Sequence, residues 1–89
     1  MPMFKKRRGI NIPYNKQGLI YFNCMNFDDM PEHIQNKIKK LCNEVGKEYS
    51  EVLFQVVTNS SKTISSLAME YHISETQLYL YRKRFYEAW

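Results

Sequence analysis

The sequence predicts an all-α domain of about four helices, entered through a flexible basic N-terminal arm over residues 1–17. Three observations carry that expectation. Apolar residues beyond residue 29 recur at helical spacing, the signature of helices with one buried face. Residues that start and stop helices stand at the ends of these patterns: Asp29 and Pro31, Gly46, and Ser74. A chain of 89 residues that is 44% hydrophobic and 15% aromatic has the bulk for one small core and little room for a second. Residues 18–89 therefore read as a single helical domain.

The elements follow in order. MPMFKKRRGINIPYNKQ holds Pro2, Gly9 and Pro13 and no sustained periodicity, so it reads as an arm. GLIYFNCMNF, residues 18–27, suits a short helix or a strand. A helix is expected, because a lone strand would have no partner. In DDMPEHIQNKIKKLCNEVG, Met30, Ile34, Ile38, Leu41 and Val45 form one apolar stripe. Asp29 is placed to cap that helix with Glu32 completing a capping box, and Pro31 falls in its first turn. Gly46 is the expected stop, taking the left-handed conformation. KEYSEVLFQVVT follows, with Tyr49, Val52, Leu53, Val56 and Val57 at helical spacing and Phe54 widening the face, so this helix should be the most buried. Thr58 to Thr63 are rich in residues whose side-chain oxygens favour loops and caps.

The net charge of +4 is unevenly placed. Lys5, Lys6, Arg7, Arg8 and Lys16 lie at one end and Arg82, Lys83 and Arg84 at the other, while Lys and Glu balance in the middle. Positive ends suit a surface that meets polyphosphate. No apolar run approaches the roughly 20 residues that span a bilayer, and the N-terminus lacks the form of a secretory signal, so a cytoplasmic protein is expected. Cys24 and Cys42 have no framework spacing and read as reduced, packed thiols.

Catalytic and cofactor constellations are absent. His33 and His72 are the only histidines, and with Cys24 and Cys42 they match no common zinc spacing. Gly9, Gly18 and Gly46 are isolated and form no phosphate loop. No catalytic residue, metal or cofactor is assigned.

The chemistry concentrates in SSLAMEYHISETQLYLYRKRF, Ser65 to Phe85. Thr63 opens a helix, His72-Ile73 makes a turn, and Ser74 caps a second helix with Gln77 three residues on. Ala68 is the small residue a crossing helix needs, and Ile73 is the apolar plug of the turn. Leu67, Tyr71, Leu78 and Tyr81 supply inner faces, continued by Phe85 and Trp89. This pattern resembles the helix-turn-helix of bacterial and phage regulators over about Thr63 to Arg84, within a helix-turn-helix element expected at about residues 63–88. Those proteins often place Gly in the turn, where this chain has His72. More loosely, GLIYFNC, the Pro-initiated helix, EVGKEYSEVLF and ISETQLYLYRKRFYEAW resemble small proteins of phages and integrative mobile elements of Firmicutes.

The resemblance implies a DNA-binding regulator of a phage or mobile element. If the second helix enters a major groove, Ser74, Glu75, Thr76 and Tyr79 face the bases, while Arg82 and Lys83 hold phosphates. Lys5, Lys6, Arg7 and Arg8 form an arm for phosphates or a minor groove. Double-stranded DNA is then the partner, and a homodimer is expected because single modules bury little DNA surface. The alternative is a small phage-encoded inhibitor that binds a host protein, such as an anti-CRISPR acting on a nuclease. Its surface would be Tyr79, Leu80, Tyr86 and Trp89, which are also the candidate seams of the homodimer.

Overall fold

The structure, a computed structural model, describes residues 10, 12–59 and 61–89. Five α-helices follow one another: α1 Tyr14–Met25, α2 Glu32–Gly46, α3 Ser50–Thr58, α4 Ile64–Tyr71 and α5 Glu75–Ala88. Single 3-10 turns at Phe27–Asp29 and Lys47–Tyr49 join the first three, and no strand occurs among the described residues. The fold is all-α. Residues 18–27, ambiguous in sequence, fall mostly within α1.

The domain begins earlier than residue 18. Ile10 is buried in the main core, and α1 already includes residues 14–17. Gln17 is fully buried, and its Nε2 donates to the carbonyls of Ile10 (3.3 Å) and Ile12 (3.2 Å). A buried amide must find partners, and here the partners are the backbone leading into α1. Lys5, Lys6, Arg7 and Arg8 lie outside the described residues.

Two sequence expectations about α2 are corrected. Asp29 does not cap it. Asp29 closes the preceding 3-10 turn, and Pro31, with φ −56° and ψ 154°, is the N-cap without a side-chain cap bond. Its carbonyl accepts from the N–H groups of Ile34 and Gln35 at 3.0 Å each. Nor does Gly46 take the left-handed conformation. Gly46 stays helical at φ −84°, and the positive φ of 51° falls on Lys47. Gly46 answers to packing: a Cβ there would sit 3.3 Å from Leu53 Cδ2 and 3.4 Å from Leu53 Cβ, so α3 presses close against the end of α2.

α3 packs against each of the other four helices. Its residues divide between two cores. Leu53 and Val57 join Ile10, Ile20, Cys24, Ile38, Leu41, Cys42, Phe85 and Tyr86 in the main core. Val52 joins Leu67, Ala68, Ile73 and Leu78 in a second, smaller one. α5 divides the same way along its length. Leu78 near its start serves the small core and Phe85 and Tyr86 near its end serve the main core, with Tyr81 packed against both.

Candidate nucleic-acid interface

The side chains that could meet a nucleic acid sit on α4, the turn and α5, and local chemistry sets that unit's shape. Thr63 caps α4, its side-chain oxygen accepting from the Ser66 N–H at 3.1 Å. α4 ends in a paired closure. The Ile73 N–H bonds the Ala68 carbonyl at 3.0 Å and the His72 N–H bonds that of Met69 at 3.4 Å. This closure requires a left-handed residue, and His72 supplies it at φ 56°, ψ 45°. It also favours an apolar contact between the residue after the left-handed one and the last turn of the helix. Ile73 and Ala68 are both buried in the small core and provide it.

His72 is exposed, so only its backbone matters to this turn. An L-residue in the left-handed region carries strain that glycine escapes. We expect His72→Gly to raise stability by about 0.5–1 kcal/mol, less the extra chain entropy of glycine. A urea midpoint that rises with an unchanged slope would check it.

Ser74 caps α5, its hydroxyl accepting from the Gln77 N–H at 3.1 Å. The reciprocal half of the expected capping box does not form. Gln77 Nε2 donates instead to the Tyr81 hydroxyl at 2.8 Å, tying the first turn of α5 to the residue that touches both cores.

The outer side of α5 carries the candidate residues. Ser74, Glu75 and Thr76 are exposed, Tyr79 is 48% and Leu80 41% exposed, and Lys83 is half-buried. The Arg82 guanidinium lies over the Tyr79 ring, 5.0 Å from its centre, a cation–π arrangement that holds a cation on this surface. Glu75 is already engaged, its Oε1 accepting from Ser65 Oγ at 2.8 Å across the α4–α5 junction. That contact, with the favourable end of the helix dipole, accounts for a carboxylate at this position.

Tyr86 is corrected. It is only 2% exposed and lies in the main core against Phe85, with ring centres 6.1 Å apart. Tyr86 sits seven residues after Tyr79, yet the helix has by then turned against α2 and α3. It lines no surface. Trp89 is half-buried, packed on Phe85 at 6.1 Å with the Lys37 ammonium 4.2 Å over its ring. That end of the chain is therefore substantially covered.

The fold adds neighbours that periodicity does not reveal. An open cavity of about 290 Å³ lies between α1, the α3–α4 connection and α5, bordered by Tyr21, Asn59, Lys62, Thr63, Tyr79 and Arg82. Lys62 is paired with Glu70 at 2.9 Å, a contact that pushes the ammonium pKa upward. Thus a Lys from a loop and an Arg from α5 border one concavity beside the exposed α5 face.

Among the described residues no three His, Cys, Asp or Glu side chains gather into a metal site. No helix among them is long and apolar enough to cross a membrane. No protein-family model, curated protein or solved structure matches the chain.

Proposed function

We propose that the chain is a helix-turn-helix protein that binds double-stranded DNA, with α5 entering the major groove from Ser74 onward. The observation that supports this best is the α4–turn–α5 unit. Both its helix starts are capped by side chains, its turn is closed on Ile73, and its own small core leaves the outer face of α5 open. A major groove about 12 Å wide admits such a helix. Thr76 contacts a base edge or a thymine methyl, and Tyr79 a base or phosphate. Arg82 and Lys83 hold phosphates, which sets register without reading sequence. Lys5, Lys6, Arg7 and Arg8 extend the phosphate contacts. The role proposed is regulation within a phage or mobile element, in the cytoplasm.

A second reading draws on a specific feature. Tyr79 and Leu80 are adjacent, large and exposed, and a protein partner covers such residues more readily than a phosphate backbone does. In that reading the same scaffold blocks a host nucleic-acid enzyme.

Titration of a labelled random-sequence duplex across a salt series separates the two. Lys83→Ala is expected to weaken binding at every sequence and to lower the salt slope by about 1. Thr76→Ala is expected to weaken binding without changing that slope. A chain starting at Ile10 retains the buried Ile10 and should lose affinity through the basic cluster alone. Absence of duplex binding at low salt, from protein that is folded by circular dichroism, would sink the DNA reading. Capture experiments with Tyr79→Ala and Leu80→Ala as negative controls would then test the inhibitor reading.

A further inference from the structure

The concavity between α1, the α3–α4 connection and α5 measures about 290 Å³. Sites that enclose drug-sized molecules run from about 300 to 1,000 Å³, so this one suits a single small group. Two cationic side chains line it, Lys62 from the connection and Arg82 from α5. No carboxylate does so among the described residues.

Local contacts hold both cations in place. The Arg82 guanidinium lies 5.0 Å from the centre of the Tyr79 ring, which sets its planar fork of N–H donors in advance. Lys62 stands between two bonded residues. Ser61 donates to Asn59 Oδ1 through its N–H at 2.9 Å and its hydroxyl at 2.6 Å, and Thr63 caps α4. The Lys62 ammonium reaches the two Glu70 carboxylate oxygens at 2.9 and 3.3 Å. An ammonium has three donors, so a donor remains for a second acceptor.

We propose that this concavity binds a phosphate group, held by the Arg82 fork and by the Lys62 charge. A guanidinium matches two phosphate oxygens at once, and an ammonium adds a point charge. Glu70 holds Lys62 at the rim and competes with the incoming anion for it. The phosphate belongs to a DNA strand or to a free phosphorylated molecule. In the first case the inference rests on the DNA reading of α5, and it adds Lys62 to the backbone contacts.

The probe is inorganic phosphate, titrated into the isotope-labelled full chain at an ionic strength held constant with chloride. Backbone amide shifts are the readout. The amides of Lys62, Thr63 and Arg82 are expected to shift and saturate. Lys62→Ala is expected to abolish that saturation, and Lys62→Arg to restore it. Glu70→Gln removes the competing carboxylate and is expected to tighten phosphate several-fold, a gain that a purely structural ion pair would not give. Lys40→Ala, on an exposed α2 lysine, is expected to change nothing. Phosphate that shifts no amide saturably would overturn the proposal, whatever the duplex does. So would saturation that survives Lys62→Ala.

Duplex titration of the same proteins separates the two sources. Competition between phosphate and duplex, with a salt slope lowered by about 1 in Lys62→Ala, assigns the group to DNA. Phosphate binding beside an unchanged duplex slope assigns it to a free phosphorylated molecule. Phosphate binding by a chain that binds no duplex supports the site and sinks only the DNA reading.

Discussion

Phe85→Ala is expected to cost about 3–5 kcal/mol, the usual toll for emptying a fully buried phenylalanine site. Phe85 is 0% exposed in the main core, with Tyr86 and Trp89 each 6.1 Å away between ring centres. Its neighbours are helices that cannot close the void cheaply, since α2 and α3 are already pressed together at Gly46. A domain of this size holds roughly 5–15 kcal/mol in total. The variant should therefore lose a large share of its stability, and urea denaturation followed by helical circular dichroism reads this directly as a fall in the midpoint. Leu80→Ala is the control, since its side chain is 41% exposed on the same helix and should move stability by no more than about 0.5 kcal/mol. Equal effects from the two variants would mean that α5 does not pack through the face described.

The second large effect is alkaline. Cys24 and Cys42 are free and buried. Burial pushes both thiols from the ordinary 9.0 up to about 12, and for Cys24 the neighbouring Cys42 adds to the rise. A raised thiol pKa means that the folded state holds its proton where the unfolded chain has lost it. The stabilisation is complete below pH 9 and is lost as pH climbs from 9 towards 12. The quantity to measure is a difference, so that contributions from every other group cancel. Stability of the wild type minus that of a Cys24→Ala, Cys42→Ala double variant should fall steadily above pH 9. At neutral pH the same burial keeps the thiolate scarce, and alkylation should proceed only through unfolding. Rapid labelling of either thiol in the native protein would contradict the packing.

The all-α class was legible because α2 and α5 carry their signals locally. The stripe Ile34, Ile38, Leu41 needs only its own spacing, and the cap at Ser74 needs only the residues beside it. Where the sequence reading went astray, the deciding contact lay elsewhere in the chain. Gly46 is the last residue of α2, as expected, but it is not left-handed: its bare backbone is used by Leu53 of the next helix, and the positive φ falls on Lys47. Residues 1–17 read as an arm, but Gln17 reaches back to the carbonyls of Ile10 and Ile12, which no periodicity encodes. Tyr86 looked exposed because Tyr79 is, yet α5 changes environment midway as it passes from the small core to the main one. Of the candidate site, the α5 residues could be found from sequence. Lys62 and Tyr21 could not, because the cavity they border exists only after α1, α3 and α5 have docked.

The division of α3 and α5 between two cores bears on how this chain could be taken apart. The small core that shapes α4 and the start of α5 takes Val52 from α3 and leans on Tyr49 and Val56. A fragment running from Thr63 to Trp89 would keep both helix starts but lose that wall. The pair is therefore not a transplantable cassette. Anyone grafting it onto another scaffold would need to carry α3 as well, and α3 in turn brings the rest of the domain.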